Sequence, residues 1–143
     1  MTFSGKLKKE CRVMVDSRVK GSNFELKVCR LIKDNLNYDV KRNIQSQYQE
    51  KGQPDIIIPG WSIECKAYQR GTTYKKAWLK QTRDSAKLVG LTPVLIYKFN
   101  NSPIKCVISL DVLSRNFSSG HDLVCEVDIE TWFYIVRERD VIS

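Results

Sequence analysis

The sequence predicts an α/β fold in which a central mixed β-sheet is flanked by helices. Apolar residues recur at helical spacing in two separate segments, and several short β-branched runs lie between and after them. Proline and glycine turn signals separate these runs from one another. Because these elements alternate along only 143 residues, we expect one layered domain with its own core.

The first twenty residues are basic and carry no clear apolar periodicity. Their cations are Lys6, Lys8, Lys9, Arg12, Arg18 and Lys20. We expect residues 1–20 to form an N-terminal arm and residues 21–143 to form a single domain. Such an arm can grip phosphate groups or remain simply solvated, and its composition does not decide between the two.

The first predicted helix begins at Ser22, a favourable capping residue, and Glu25 follows three positions later to complete a capping box. The apolar residues that share one face of this helix are Phe24, Val28, Leu31, Ile32 and Leu36. Asn37 is expected to end the helix. A strand over residues 38–44 and a polar loop over residues 45–53 are expected to follow.

A β-hairpin is predicted over residues 55–67. It consists of the β-branched run Ile56–Ile58, a turn signal at Pro59 and Gly60, and a second strand over residues 61–67. A second helix is then expected to be capped by Thr72 or Thr73 and to end at Gly90.

The remaining sequence predicts mainly strands. Residues 93–97 predict a buried strand, residues 104–110 predict another strand, and a short helix is expected from Asp111. The tail over residues 121–136 is apolar and rich in residues that favour strands, among them Trp132, Phe133 and Ile135, so it predicts further sheet.

Histidine and cysteine usage excludes two classes of site. His121 is the one histidine, so a histidine-rich nuclease site of the HNH type or a zinc site with three histidines cannot form within one chain. The five cysteines are Cys11, Cys29, Cys65, Cys106 and Cys125, and no CxxC pair exists. We therefore expect reduced thiols, several of them buried as small apolar groups.

The charge favours a polyanionic partner. Lysine and arginine number 24 against 16 acidic residues, a formal charge of +8. Nucleic acid is the natural partner, because each neutralised phosphate releases a counterion. No apolar run has the length of a signal sequence core or a membrane span, so we expect a soluble, cytoplasmic protein.

Glu64, Cys65 and Lys66 carry the chemistry of the predicted hairpin. Residues two apart on a strand share a face, so Glu64 and Lys66 lie together while Ile63, Cys65 and Ala67 pack inward. We therefore expect a half-buried strand that carries this charged pair at one edge. The turn brings Asp55 near Glu64, and two close carboxylates repel unless a cation lies between them. Hard oxygen ligands of this kind suit Mg²⁺, which activates water for phosphodiester hydrolysis.

These residues resemble a known pattern. Pro54-Asp55, eight intervening residues and then Glu64-Cys65-Lys66 are similar to the PD-(D/E)XK nuclease motif. The stretches over residues 20–25 and 52–58 resemble archaeal-type Holliday junction resolvases of that superfamily. The resemblance covers residues 20–98 and implies a restriction-endonuclease-like fold.

The resemblance also implies roles for individual residues. Catalysis would fall to Glu25, Asp55, Glu64 and Lys66. Metal would be held by Glu25, Asp55, Glu64 and the carbonyl of Cys65, with Mg²⁺ as the cofactor and Mn²⁺ as its substitute. Contacts to DNA are expected from Lys20, Ser22, Arg70, Lys75, Lys76 and Gln81, although exposed positions of this kind can equally be solvated. Family members that cut four-way junctions act as homodimers, so we expect a homodimer.

Two alternatives remain open. One is a restriction-like or repair endonuclease of the same fold that cuts linear or damaged duplex. The other is a DNA-binding module without catalysis, against which the complete set of Asp55, Glu64 and Lys66 argues. Tyr68, Tyr74 and Trp78 could stack on exposed bases, but we expect them to pack in the core.

Overall fold

The computed structural model describes residues 2–40, 52–117 and 123–142, with side chains described over 19–40, 52–117 and 123–139. The helices are α1 (Thr2–Leu36), α2 (Lys76–Val89) and α3 (Ile129–Ile142). The strands are β1 (Ile56–Ile58), β2 (Trp61–Tyr68), β3 (Thr92–Phe99), β4 (Lys105–Ser109) and β5 (Val124–Asp128). None of the helices in this described part combines the length and apolar character needed to cross a membrane.

The five strands form one sheet in the order in which they occur along the chain. β2 and β3 are parallel, and the other neighbouring pairs are antiparallel. α2 makes the crossover that a parallel pair requires. The sheet is therefore mixed and flanked by helices, which confirms the predicted fold class, including the hairpin of β1 and β2.

The two sides of the sheet are covered by different helices. On the first side, which we call the α1/α3 face, an apolar cluster joins α1 and α3 to alternate residues of the strands, including Ile63 and Cys65. On the opposite side, the α2 face, Trp78 packs with an aromatic cluster whose strand members include Tyr97 and Phe99. The predicted inward packing of Ile63, Cys65 and Ala67 is confirmed, since all three belong to the first cluster.

The first helix begins earlier than predicted. It starts at Thr2, so Ser22 lies in its interior and the predicted capping box with Glu25 is wrong. No proline occurs before Pro54, and the basic residues of the first segment favour helix, so nothing stops the helix there. Its end at Asn37 is confirmed by a positive φ of 60° and a bond from the Asn37 amide to the Lys33 carbonyl of 3.0 Å. The phosphate-gripping arm stays a prediction, because side chains 1–18 are outside the described part.

The second helix is capped differently from the prediction. Lys75 is its capping residue and makes no side-chain capping bond, whereas the hydroxyl of Thr73 bonds to Tyr97. The predicted cap at Thr72 or Thr73 is therefore wrong, because the Thr73 hydroxyl is engaged by the sheet. Gly90 ends the helix in the left-handed conformation as predicted.

The tail corrects a third prediction. β5 is a strand, but Trp132, Phe133 and Ile135 lie on α3 and not in the sheet. Asp128 begins this helix by accepting a bond of 2.7 Å from the Thr131 amide. The buried residues Ile129, Trp132, Phe133 and Val136 follow a helical period, which prevails over the strand preference of the individual side chains.

Other predictions are confirmed in part. The strands expected over 93–97 and 104–110 correspond to β3 and β4, and a short 3-10 turn, Leu110–Val112, takes the place of the helix from Asp111. Residues 38–40 form no strand; residues 41–51 and His121 lie outside the described residues. The side chains of four cysteines are described, and all four are reduced thiols.

Candidate active site

Asp55 is attached to β2 at two points. Its amide donates to the carbonyl of Ile63 at 3.1 Å, and its Oδ2 accepts from the amide of Cys65 at 2.9 Å. These two partners flank Glu64 in the sequence. The hairpin therefore holds the Asp55 carboxylate beside Glu64, as the spacing of the two residues predicts.

Glu64 is buried, with only 1% of the residue exposed. Ser85 on α2 donates its hydroxyl to Glu64 Oε1 at 3.0 Å, so the carboxyl group points beneath this helix. The sequence predicted a charged pair at the edge of a half-buried strand, and this is wrong for Glu64. β2 is an internal strand, and α2 covers the face that the alternating pattern left open to solvent.

Burial and the neighbouring charge change the protonation of Glu64. Its pKa is raised to about 8, mainly by burial, then by the charge of Asp55, and to a smaller extent by a hydrogen bond between the two carboxyl groups. The bond from Ser85 and the charge of Lys66 lower the pKa, but by less than burial and the charge of Asp55 raise it. At neutral pH the pair therefore retains a proton unless a cation replaces it. Two neighbouring carboxyl groups that can both ionise only beside a cation, and that offer hard oxygen ligands, suit Mg²⁺.

Lys66 and Glu25 complete the surroundings. Lys66 is half-buried on the same side of β2 as Glu64, where its charge acts on that carboxyl group. Glu25 lies on α1, also half-buried, and its charge contributes to the raised pKa of the buried Cys65 thiol after burial and Asp55. Glu25 therefore approaches the middle of the predicted motif from the first helix.

The described residues do not form a ready-made metal cage. Across residues 19–40, 52–117 and 123–139, no three side chains of histidine, cysteine, aspartate or glutamate are arranged to hold a metal ion. The structure brings Asp55 and Glu64 together, and Lys66 lies on the same side of β2 as Glu64. Glu25 approaches from α1, on the side of β2 where Cys65 packs. The roles of these four residues stay predictions.

The residues expected to contact DNA are distributed over two elements and a loop. Arg70, Lys75 and Lys76 are exposed between β2 and the first turn of α2, and Gln81 is exposed on α2. Lys20 and Ser22 lie half-buried on α1, and the Lys20 ammonium donates to the side chain of Asn100. The cations of the loop therefore lie directly after the strand that carries Glu64 and Lys66.

Ser85 was not identified by the sequence analysis. Its hydroxyl is within bonding distance of both Glu64 and the backbone carbonyl of Gln81, at 3.0 and 2.8 Å. A buried serine in a helix usually bonds only to its own backbone, so its type gives no signal of a role. Its position one helical turn after Gln81, on the side of α2 that faces the sheet, is the only sequence feature that could have indicated it.

Comparisons with known proteins agree with this architecture. Residues 16–135 match the family described as phage putative PDDEXK endonuclease, and no curated protein matches the chain. The structure is similar to that of Archaeoglobus fulgidus Hjc, a Holliday junction resolvase from an archaeal hyperthermophile. The identity is 14%, the TM-score is 0.51, and the match covers 81% of this chain and 98% of that one, a likeness that concerns the fold. Since the family match spans most of the sequence, the chain belongs to the phage putative PDDEXK endonuclease family, and family and fold together support a nuclease.

Proposed function

We propose that this protein is a magnesium-dependent endonuclease that hydrolyses phosphodiester bonds of DNA, with a four-way junction as its substrate. The observation that carries the proposal is the buried pair of Asp55 and Glu64. Burial, together with the neighbouring charge of Asp55, raises the pKa of Glu64 to about 8, so the folded chain contains a site that a divalent cation would stabilise.

Asp55, Glu64 and the carbonyl of Cys65 are the groups that would hold Mg²⁺, with Glu25 joining them from α1. When bound, the cation would supply an activated water and offset the charge that develops on the phosphoryl group. The Cys65 amide fixes the orientation of the Asp55 carboxylate, and Ser85 fixes that of Glu64. Lys66, on the same face as Glu64, would orient the attacking water or stabilise the charge on the phosphate.

DNA is the substrate that the surface chemistry supports. The chain carries a formal charge of +8, and Arg70, Lys75 and Lys76 are exposed directly after the strand that carries Glu64 and Lys66. The junction preference rests on the fold shared with the archaeal resolvase. Two symmetric cuts in a four-way junction require two sites, so we propose that the protein acts as a homodimer in the cytoplasm.

The test uses the full chain with a labelled four-way junction and a linear duplex of the same arm sequence, each with Mg²⁺ and with EDTA. We expect paired nicks in the junction only, dependent on Mg²⁺ and abolished in Asp55→Asn. Asp84→Asn is the matched control, because Asp84 is exposed on α2 and pairs only across one helical turn with Lys80 in the described contacts. It should cut like the unchanged protein.

Each outcome separates one part of the proposal from the rest. Cutting of both substrates would retain the nuclease and exclude the junction preference. Tight binding without hydrolysis in Mg²⁺ or Mn²⁺ would exclude the enzyme and leave a DNA-binding module.

A further inference from the structure

Tyr68 ends β2 with one face of its ring covered and the other open. The ring stacks on Trp78, with the centroids 4.9 Å apart and the planes 11° from parallel. Trp78 is 6% exposed and forms part of the core of the α2 face, whereas Tyr68 is 44% exposed. The core therefore supports an aromatic ring whose outer face is available to a ligand.

Lys75 lies beside this stack and not on top of it. Its Nζ is 5.9 Å from the centroid of Tyr68 and 5.8 Å from that of Trp78. Nearly equal distances place the ammonium close to the plane midway between the two rings, where it leaves the outer face of Tyr68 uncovered. We call Tyr68, Trp78 and Lys75 together the aromatic ledge.

The loop that follows Tyr68 is anchored to β3 at several points. Gly71 packs so closely on Phe99 that a Cβ atom there would lie 2.3 Å from its ring. The Thr73 hydroxyl bonds to Tyr97, and the amide of Asn100 donates to the Tyr68 carbonyl at 3.2 Å. The ledge is thus held in place by the sheet, so less conformational entropy of the protein is lost when a ligand binds there.

The ledge continues the surface that carries the proposed chemistry. Alternation along β2 places Tyr68 on the same side as Glu64 and Lys66, about 6.6 Å beyond Lys66. This distance is within reach of the nucleotide next to a phosphate held at Glu64 and Lys66. Arg70 and Lys76 are also exposed, between Tyr68 and the first turn of α2, and that turn contains no acidic residue to offset them.

We propose that the aromatic ledge binds an unpaired nucleobase of the DNA, next to the phosphodiester bond that is cut. Aromatic side chains bind bases by stacking, and every base offers a π-face for it. A base within a continuous duplex already stacks on both neighbours, so only a nucleotide released from pairing can occupy the ledge. The inference rests on the proposed nuclease function and adds that the nucleotide next to the cut bond is unpaired when the DNA is bound.

The test measures the fluorescence of 2-aminopurine, which is quenched when this base analogue stacks on an aromatic ring. The probe is a branched DNA with one unpaired 2-aminopurine at the branch point, compared with a duplex in which the same residue is paired, both in EDTA. We expect quenching of the unpaired probe by the unchanged protein and by Tyr68→Phe. Tyr68→Leu should lose the quenching and bind the branched DNA about tenfold more weakly, with unchanged affinity for the duplex.

Tyr134→Leu is the matched control, since Tyr134 is 59% exposed on α3 and distant in sequence from the ledge. It should behave like the unchanged protein. Two results would overturn the proposal that the ledge binds a base. One is binding of the unpaired probe by the unchanged protein without quenching, and the other is equal affinity of Tyr68→Leu and Tyr134→Leu for the branched DNA. If Tyr68→Leu does not fold, the unchanged protein and Tyr68→Phe still decide the question by their quenching.

Cleavage of the same DNAs in Mg²⁺ separates the two proposals. Cleavage without quenching would retain the nuclease and exclude the ledge as a base-binding site. Quenching without cleavage under any metal would retain base binding and exclude the nuclease function, whereas no binding to any DNA would overturn both.

Discussion

The two faces of one sheet differ in what they bury. The α1/α3 face buries apolar side chains contributed by two helices and by alternate strand residues. The α2 face buries aromatic rings as well, but it also encloses the carboxyl group of Glu64 and the hydroxyls of Thr82 and Ser85. Since burial of a carboxyl group beside another acid opposes folding, the first face stabilises the domain while the second maintains a strained polar site.

β2 belongs to both faces and shows how the division is made. Ile63 and Cys65 point to the apolar side, whereas Glu64 points to α2 and Lys66 follows it. Because successive side chains of a strand point to opposite sides, four consecutive residues contribute both to the apolar core and to the proposed active site. If this division is correct, substitutions on the two faces should change different measured quantities.

The strongest effect is expected for Glu64→Gln on the α2 face. The amide keeps the shape of the side chain but carries no charge to hold a cation, so the single-turnover rate of DNA cleavage should fall roughly a thousandfold. Glu138→Gln is the control, because Glu138 is exposed on α3. Cleavage by Glu64→Gln within tenfold of the unchanged rate would contradict a role of Glu64 at the metal.

Ile32→Ala should produce the opposite result on the α1/α3 face. Ile32 is fully buried, and the cavity should lower the free energy of unfolding by about 3 kcal/mol, measured by urea denaturation. Cleavage per folded molecule should change less than twofold. Ile57→Ala makes the same change at an exposed position of β1 and should cost about 0.5 kcal/mol or less; equal losses at both positions would show that the α1/α3 face is not the stabilising core.

Ser85→Ala should weaken the metal site without removing it. The loss of the hydroxyl frees the Glu64 carboxyl to rotate, so the Mg²⁺ concentration for half-maximal cleavage should rise roughly 10- to 100-fold. The rate at saturating Mg²⁺ should change less. A purely structural serine would lower stability and leave the Mg²⁺ dependence unchanged.

Thr82→Val is the matched control for this prediction. Thr82 is equally buried on α2 and donates to the Trp78 carbonyl at 2.7 Å, the same backbone bond that Ser85 makes to Gln81. Only Ser85 of the two is also bonded to Glu64 in the described contacts. A similar shift in Mg²⁺ dependence for both variants would assign the effect to α2 packing.

Features determined by neighbouring residues in the sequence could be predicted, and those determined by distant packing could not. The hairpin follows from the turn at Pro59 and Gly60, and the helix ends follow from Asn37 and Gly90. The same alternation that placed Glu64 and Lys66 on one face also suggested that this face meets solvent. Nothing within β2 reveals that α2 covers it, so the burial of Glu64 and its bond to Ser85 appear only in the folded chain.

The tail illustrates a different limit. Trp132, Phe133 and Ile135 favour strands as individual residues, and the prediction followed that preference. The period of the buried residues over Ile129 to Val136 is helical, and the Asp128 side chain provides the start of the helix. Periodicity was the stronger evidence at this position, because burial of one helical face against the sheet outweighs intrinsic preference.

The smallest predicted effect is a pH dependence of stability that belongs to the α2 face alone. In the folded chain without metal, burial raises the pKa of Glu64 to about 8, above the ordinary value of 4.5 that applies when the chain unfolds. Between these values the unfolded chain binds fewer protons than the folded one, so this contribution to stability decreases as pH rises from 4.5 to 8. Glu64→Gln lacks the contribution, and its Tm minus that of the unchanged protein should grow by a few degrees from pH 5.5 to pH 8 in EDTA.

Because Mg²⁺ binds the ionised form, it should raise the Tm of the unchanged protein more at pH 8 than at pH 5.5, and it should do so little in the variant. A Tm difference that does not change with pH would mean that Glu64 is ionised throughout this range, and that the polar site on the α2 face is not strained.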